Sequence, residues 1–281
     1  MVFLVIDTLK FYNDYTNYEY TLVSPNADIS GGILEKSEID DIINHPQINI
    51  IKIMGLKQDT FEYFVEKYAQ QFKSIYFFKN KSIKDLSPLS SLEKVEFIGY
   101  FFNQGCDRLW NMNRNFALKG LSINDFSKLH CIDDIVTAPN LEFFDFGNMV
   151  WNKMILDSLK PLAETKLKYL RFNAKKIIDN DITPIGKITT LEELHFPTNL
   201  FEMEQIAWLT VKLDKVKSSS LGPYHKIDKP IEWKSSSGLK MKDTFIHGKG
   251  KPFLDSNIDN NRINKYVQEF EQMLDKYRNN I

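Results

Sequence analysis

One short pattern, apolar-x-x-apolar-x-apolar, returns along this chain at nearly even intervals. It reads Ile48/Ile51/Ile53, Phe72/Ile75/Phe77, Leu92/Val95/Phe97 and Leu118/Leu121/Ile123. It continues as Leu141/Phe144/Phe146, Leu167/Leu170/Phe172 and Leu191/Leu194/Phe196. Leu213/Val216 is a weaker eighth copy, with Ser218 in the last apolar place. Successive starts lie 24, 20, 26, 23, 26, 24 and 22 residues apart. One such match arises by chance. Eight at near-constant spacing mark an internal repeat, and a repeat of about 20–50 residues means a solenoid, a propeller or an array.

Apolar residues precede most copies in steps of three: Ile83, Leu86, Leu89 and Leu92, then Leu156, Leu159 and Leu162, then Ile182, Ile185, Ile188 and Leu191. Ile206 and Leu209 lead into Leu213 in the same way. Steps of three suit a 3₁₀ turn or a short α-helix. Each unit is therefore a short strand plus a helical return. No unit buries its apolar face alone, so stacking against neighbours must bury it.

Asp85–Phe97 (DLSPLSSLEKVEF), Ala138–Phe146 (APNLEFFDF) and Asp181–Phe196 (DITPIGKITTLEELHF) carry a family likeness. Over roughly residues 39–218 the chain resembles the leucine-rich repeat family, in its short bacterial type with a P-L-x-x-L return. The resemblance implies an α/β fold: a right-handed solenoid with a parallel concave β-sheet, short helical or 3₁₀ returns and capped ends. It also implies a binding role. The family usually places Asn eight residues after the first Leu of the motif. Here Asn80 and Asn199 fit, while Leu56, Tyr100, Phe126, Met149 and Lys175 stand in the other copies, so irregular turns are expected. The long step from 92 to 118 holds Tyr100–Trp110 (YFFNQGCDRLW), which is expected to bulge or loop out.

A solenoid exposes its core unless its ends are covered. The chain divides into an N-terminal flank or cap (1–47), a solenoid of about eight repeats (48–220) and a loop-rich C-terminal flank with a terminal helix (221–281). In the first flank, Phe3–Asp7 and Tyr18–Ser24 read as strands of a covering hairpin, and Ser37 begins a helix-capping signal. Residues 219–257, rich in Lys, Ser, Gly and Pro, read as loop. From Asp259 to Tyr277, Ile263, Tyr266, Val267, Phe270, Met273, Leu274 and Tyr277 share one helical face, which predicts a helix docked as the C-terminal cap.

Apolar residues are 43% and charged residues 26% of the 281, which excludes a disordered chain. No apolar run approaches the ~20 residues that span a bilayer. Met1–Lys10 has no basic start and only a short apolar patch, unlike a signal peptide, so a cytoplasmic location is expected. Cys106 and Cys131 form no CxxC and are expected as free thiols. Charge is uneven. Residues 1–47 carry a balance of −6 and residues 211–251 a balance of +6, which would steer a charged partner.

Strand side chains alternate between faces. With the second and third apolar residues of each motif turned inward, the residues beside them line the concave face. Its first half gathers Ile50, Lys52, Met54, Tyr76, Phe78, Lys94, Glu96 and Ile98, and its second half Phe143, Asp145, Tyr169, Arg171, Glu193 and His195. Aromatic residues, Met and Arg are what protein interfaces favour. Phosphate-loop, dinucleotide, serine-hydrolase and zinc-protease motifs are all lacking. His247–Lys251 (HGKGK) lacks phosphate-loop spacing and reads as a mobile loop. His130, Cys131, Asp133 and Asp134 lack a second ligand pair, so no metal or cofactor is expected. The reading is a non-enzymatic solenoid that recognises a protein partner on its concave face. One alternative is an immunity- or inhibitor-type protein that occludes a toxin or nuclease. The other is nucleic-acid binding through the lysine-rich 211–251 segment.

Overall fold

The computed structural model describes residues 15–23, 32–148, 150, 154–235 and 238–279. Its strands are β1 (Tyr20–Val23), β2 (Ile50–Met54), β3 (Ser74–Phe78), β4 (Phe97–Asn103), β5 (Gly120–Phe126), β6 (Phe143–Gly147), β7 (Ile155–Leu156), β8 (Tyr169–Asn173), β9 (Lys176–Ile177), β10 (Glu193–His195), β11 (Tyr224–Ser235), β12 (Gly238–Ile246) and β13 (Phe253–Leu254). The helices are α1 (Lys36–Ile39), α2 (Gln58–Lys67), α3 (Met203–Lys212) and α4 (Asn260–Arg278).

Eight strands form one parallel sheet in the order β1-β2-β3-β4-β5-β6-β8-β10, so neighbours in space are neighbours along the chain. Strands β7 and β9 make a second, two-stranded parallel pair. Successive coils stacked on one another generate this order, and the fold is an α/β solenoid. The returns run through 3₁₀ turns at Ser87–Ser91, Asp133–Thr137, Lys160–Glu164 and Ile185–Lys187. Pro88 and Pro161 open two of them, where a missing N–H costs nothing. Leu86, Leu89 and Leu92 are buried together, as residues three apart in a 3₁₀ turn must be. On the core side of the sheet, rings of successive coils stack: Phe77 on Tyr100 (5.4 Å between centroids), Phe146 on Phe172 (5.7 Å) and Phe172 on Phe196 (5.6 Å).

The third coil departs from the expected register. Strand β4 sets Ile98 beside Ile75 and Tyr100 beside Phe77. The motif there is Val95/Ile98/Tyr100, and Leu92 belongs to the return. Starts at 72, 95, 118 and 141 then lie 23 residues apart. Tyr100–Trp110 does not loop out. Its first part is strand, and Trp110 is buried with its Nε1 donating to Asn115 Oδ1 at 2.9 Å. The corrected register puts Asn103 eight residues after Val95. Its fully buried amide donates to the carbonyls of Asn80 (3.1 Å) and Ile83 (2.9 Å), and its Oδ1 accepts from the N–H groups of Gly105 and Cys106. Asn80 does the same one coil earlier, accepting from Leu56 N–H and donating to the Ile53 carbonyl. Asn199 is exposed instead. At that end Ser220 Oγ bonds both the N–H and the carbonyl of Phe196. The eighth copy has slipped as well, with Lys217 bridging to Glu193 in place of Lys215.

The flanks also differ from expectation. Strand β1 extends the main sheet, pairing in parallel with β2; Phe3–Asp7, the other strand of the expected hairpin, lies outside the described residues. Helix α1 is capped by Glu35, whose N–H donates to Glu38, ahead of the expected Ser37. Residues 219–257 are not loop. Strands β11 and β12 form a long antiparallel hairpin, and β13 pairs with β12. Lys226, Lys229 and Lys234 fall at uneven steps along β11, and Pro230 and a register shift between Lys226 and Ile231 break its alternation. At the far end α4 packs on α3, with Ile263, Phe270 and Leu274 buried and Lys276 and Tyr277 bonded to Glu204. This helix is the expected cap.

Candidate functional site

The strand registers define the concave wall. One column runs Ile50, Ser74, Phe97, Gly120, Phe143, Tyr169 and Glu193. The next runs Lys52, Tyr76, Gly99, Ser122, Asp145, Arg171 and His195. A third holds Phe78, Phe101, Asn124, Gly147 and Asn173, with Met54 at its head. The misread coil moves three expected residues. Ile98 is wholly buried in the core, and Lys94 and Glu96 lie on the approach to β4. Phe97, Gly99 and Phe101 take their places.

The front of the wall, β2 to β4, is aromatic and partly covered by the chain itself. Tyr15 is 5% exposed. Its hydroxyl donates to Glu96 Oε2 at 2.6 Å, its carbonyl accepts from Ser74 Oγ at 2.8 Å, and its ring stacks on Phe97 at 5.5 Å. Phe143 and Tyr169 continue the row, at 6.2 and 6.4 Å between successive rings. Burial opposes ionisation of Glu96, but the Tyr15 hydroxyl, Lys119 and Lys73 outweigh it and hold the carboxyl below its usual range. Tyr18 stacks on Tyr76 at 5.3 Å, and Tyr76 in turn lies over Gly99, where a Cβ would strike its ring. Lys52 sits 4.1 Å from the centre of the Phe78 ring, which stacks on Phe101 at 5.4 Å. Burial first, and then Lys79, hold the Lys52 ammonium below its usual pKa.

The rear of the wall, β5 to β10, is polar and internally satisfied. Asp145 is 1% exposed. Arg171 grips it with two parallel bonds, Nε to Oδ1 at 2.6 Å and a second nitrogen to Oδ2 at 2.7 Å. Ser122 Oγ and Asn124 Nδ2 each donate to Oδ2 at 2.9 Å. His195 Nε2 lies 2.7 Å from Glu193 Oε1, and Lys217 approaches the other oxygen at 3.7 Å. The fork fixes the half-exposed Arg171, and Tyr169 stands half-exposed beside it against the Phe143 ring.

Elsewhere the chemistry is structural. Among the described residues no cluster of three or more His, Cys, Asp or Glu side chains stands ready for a metal, and no helix is long and apolar enough to cross a membrane. His130 pairs with Asp157 at 2.7 Å. Cys106 is buried, which pushes its thiol up to about 12, and Cys131 is half-buried. The HGKGK segment is a docked turn and not a mobile loop: Gly248 N–H bonds the Thr198 carbonyl and Lys249 N–H the Phe201 carbonyl. His247 is fully buried, with Nδ1 2.8 Å from the Gly222 carbonyl and Nε2 2.9 Å from His225 Nδ1. A carbonyl only accepts, so His247 Nδ1 carries the proton and Nε2 accepts from His225. Burial, with His225 beside it, holds His247 down to about 4.

Tyr15, Tyr18 and Lys79 are the wall-side residues that sequence reasoning missed. The first two lie outside the repeats and follow no period. The spacing from Val95 to Asn103 was the signal that would have placed Phe97, Gly99 and Phe101.

No protein-family model matches the sequence. No curated protein matches it either. Among solved structures, the chain is similar to an internalin from Listeria monocytogenes, with 16% identity and a TM-score of 0.28, over 67% of this chain and 69% of that one.

Proposed function

We propose that this chain is a non-enzymatic binding solenoid that holds a protein partner against its concave wall. The observation that carries the reading is the continuous wall itself. Lys52, Met54 and Phe78 stand half-exposed at its front, and Tyr169, Arg171 and His195 stand half-exposed at its rear. Aromatic anchors beside a pre-positioned Arg are the composition of interface hot spots. Six strand steps, at about 4.8 Å each, separate β2 from β10, and that reach suits a folded protein or structured peptide. The leucine-rich-repeat resemblance of the sequence points the same way. An inhibitor that occludes a toxin or nuclease is a narrower form of this reading. The lysines of the hairpin favour nucleic acid less, because Asp228 and Glu232 interleave with Lys226, Lys229 and Lys234 on β11.

The test begins with a partner captured from the native cell by the whole chain. A Phe78→Ala/Tyr169→Ala variant that melts cooperatively should bind that partner at least tenfold more weakly. Equal affinity in the folded variant rejects the wall as the binding surface.

A further inference from the structure

Lys52 and Arg171 are the two cations in the three wall columns, and their situations are opposite. Arg171 is neutralised by Asp145. Among the described residues Lys52 has no hydrogen-bond or ion-pair partner; what surrounds its half-buried ammonium there is aromatic, with Phe78 at 4.1 Å and Tyr18 at 5.6 Å from ring centre. Lys79 brings a second ammonium to the same Phe78 ring, at 5.3 Å. Ring quadrupoles offset part of the cost of desolvating an ammonium. They do not neutralise it, and a second positive charge nearby adds to the cost. The surrounding sequence deepens the imbalance. The acids of residues 48–84, Asp59, Glu62 and Glu66, all lie on α2, the return of the coil, whereas Lys52 and Lys79 both reach the Phe78 ring on the wall.

We propose that Lys52, with Lys79 beside it and the Phe78 ring as its floor, receives a carboxylate from an acidic segment of the protein partner. The inference rests on the binding role proposed above and names the chemistry of that partner. A carboxylate fits better than a phosphate. The site offers point charges over an apolar floor of Phe78, Tyr18 and Met54, whereas phosphate sites gather Arg forks or converging backbone N–H groups.

The experiment uses fluorescein-labelled hexaglutamate as the probe, read by fluorescence anisotropy on the whole chain at low ionic strength. Lys52→Met keeps the apolar stem over Phe78 and should melt with wild type. It is expected to weaken hexaglutamate about tenfold, with Lys52→Arg restoring most of the loss. A hairpin variant, Lys226→Met/Lys229→Met/Lys234→Met, should stay within twofold of wild type. Equal binding by Lys52→Met, no binding by wild type, or loss in the hairpin variant alone each overturns the proposal. So does Lys52-dependent binding of inorganic tripolyphosphate that is tighter than that of hexaglutamate, which would make the site a phosphate site. The captured partner separates the two readings. If Lys52→Met keeps the partner and Phe78→Ala/Tyr169→Ala loses it, the wall binds but the carboxylate assignment falls. If both keep it, the wall reading falls first.

Discussion

The two ends of the wall share one backbone register and differ in how their side chains are satisfied. At the front, Phe78 stacks on both Tyr76 and Phe101, and two residues from outside the repeats, Tyr15 and Tyr18, stack on Phe97 and Tyr76. Lys52 is left without a counter-charge there. At the rear, Ser122, Asn124, Asp145 and Arg171 close a hydrogen-bonded network within three adjacent strands. A repeated backbone thus decides where a side chain stands and leaves open what completes it. The rear is completed by the repeats. The front packing is completed by residues of the chain from outside the repeats.

The sharpest way to break this contrast is to delete one charge from the same column at each end. Asp145→Ala would leave Arg171 without its partner and Ser122 and Asn124 without their acceptor. Removing one member of a buried pair costs about 3–5 kcal/mol, and the half-exposure of Arg171 places this case near the lower figure. Lys52→Met removes no hydrogen bond, and its effect on stability should stay within about 0.5 kcal/mol. Urea denaturation of the two variants reads both numbers. Losses of similar size would mean that Lys52 is held by the fold after all.

Much of this architecture was legible because it depends on burial. The inward residues of six coils repeat at fixed intervals, and the structure buries them as expected. The wall followed from strand alternation wherever the register was right. It failed at two coils: at the eighth, where Lys217 takes the place expected for Lys215, and at the third, because Leu92 in the return and Val95 in the strand satisfy the same apolar pattern. Only Asn103, whose amide must meet the open carbonyls of the turn, separates the two registers. Charge was less legible. A linear count makes the first 47 residues acidic, yet the front of the wall, where Tyr15 and Tyr18 pack, carries Lys52, because alternation puts Lys52 on the wall and the return carries Glu62 and Glu66 away. Nothing periodic announces Tyr15, since its place depends on a tertiary contact with Ser74 and Glu96, far along the chain.

Two glycines sharpen the comparison at smaller scale. Gly147, on the rear, has φ 123° and would set a Cβ against the backbone carbonyl of Asn173. Neither the left-handed conformation nor the neighbouring strand can give way cheaply, so Gly147→Ala should cost about 3 kcal/mol. Gly99, on the front, meets only side-chain rings, that of Tyr76 and, less closely, that of Phe97. A ring can swing aside, and Gly99→Ala should cost about 1 kcal/mol while moving Tyr76 off its seat. Thermal unfolding gives the ranking, and fluorescence of the tyrosines follows the ring. The reverse order would mean that the front is as rigid as the rear.

An effect of the same size as that at Gly99 tests what holds the front cover in place. Tyr15→Phe keeps the stacking on Phe97 and removes only the bond to Glu96, which is worth about 1 kcal/mol at neutral pH. That bond depends on the carboxylate. Burial works against the Glu96 charge, but Tyr15, Lys119 and Lys73 prevail, so its folded pKa lies below its unfolded value near 4.5. A carboxyl depressed in this way contributes its stability above the unfolded pKa and loses it as the pH falls through the folded one. Wild type and Tyr15→Phe should therefore differ most at neutral pH and converge as the pH drops below about 4.5. Urea midpoints measured from pH 7 to pH 3 would show it. A gap that stays constant over that range would assign the cover to ring packing alone, and the front would then owe nothing to charge within the chain.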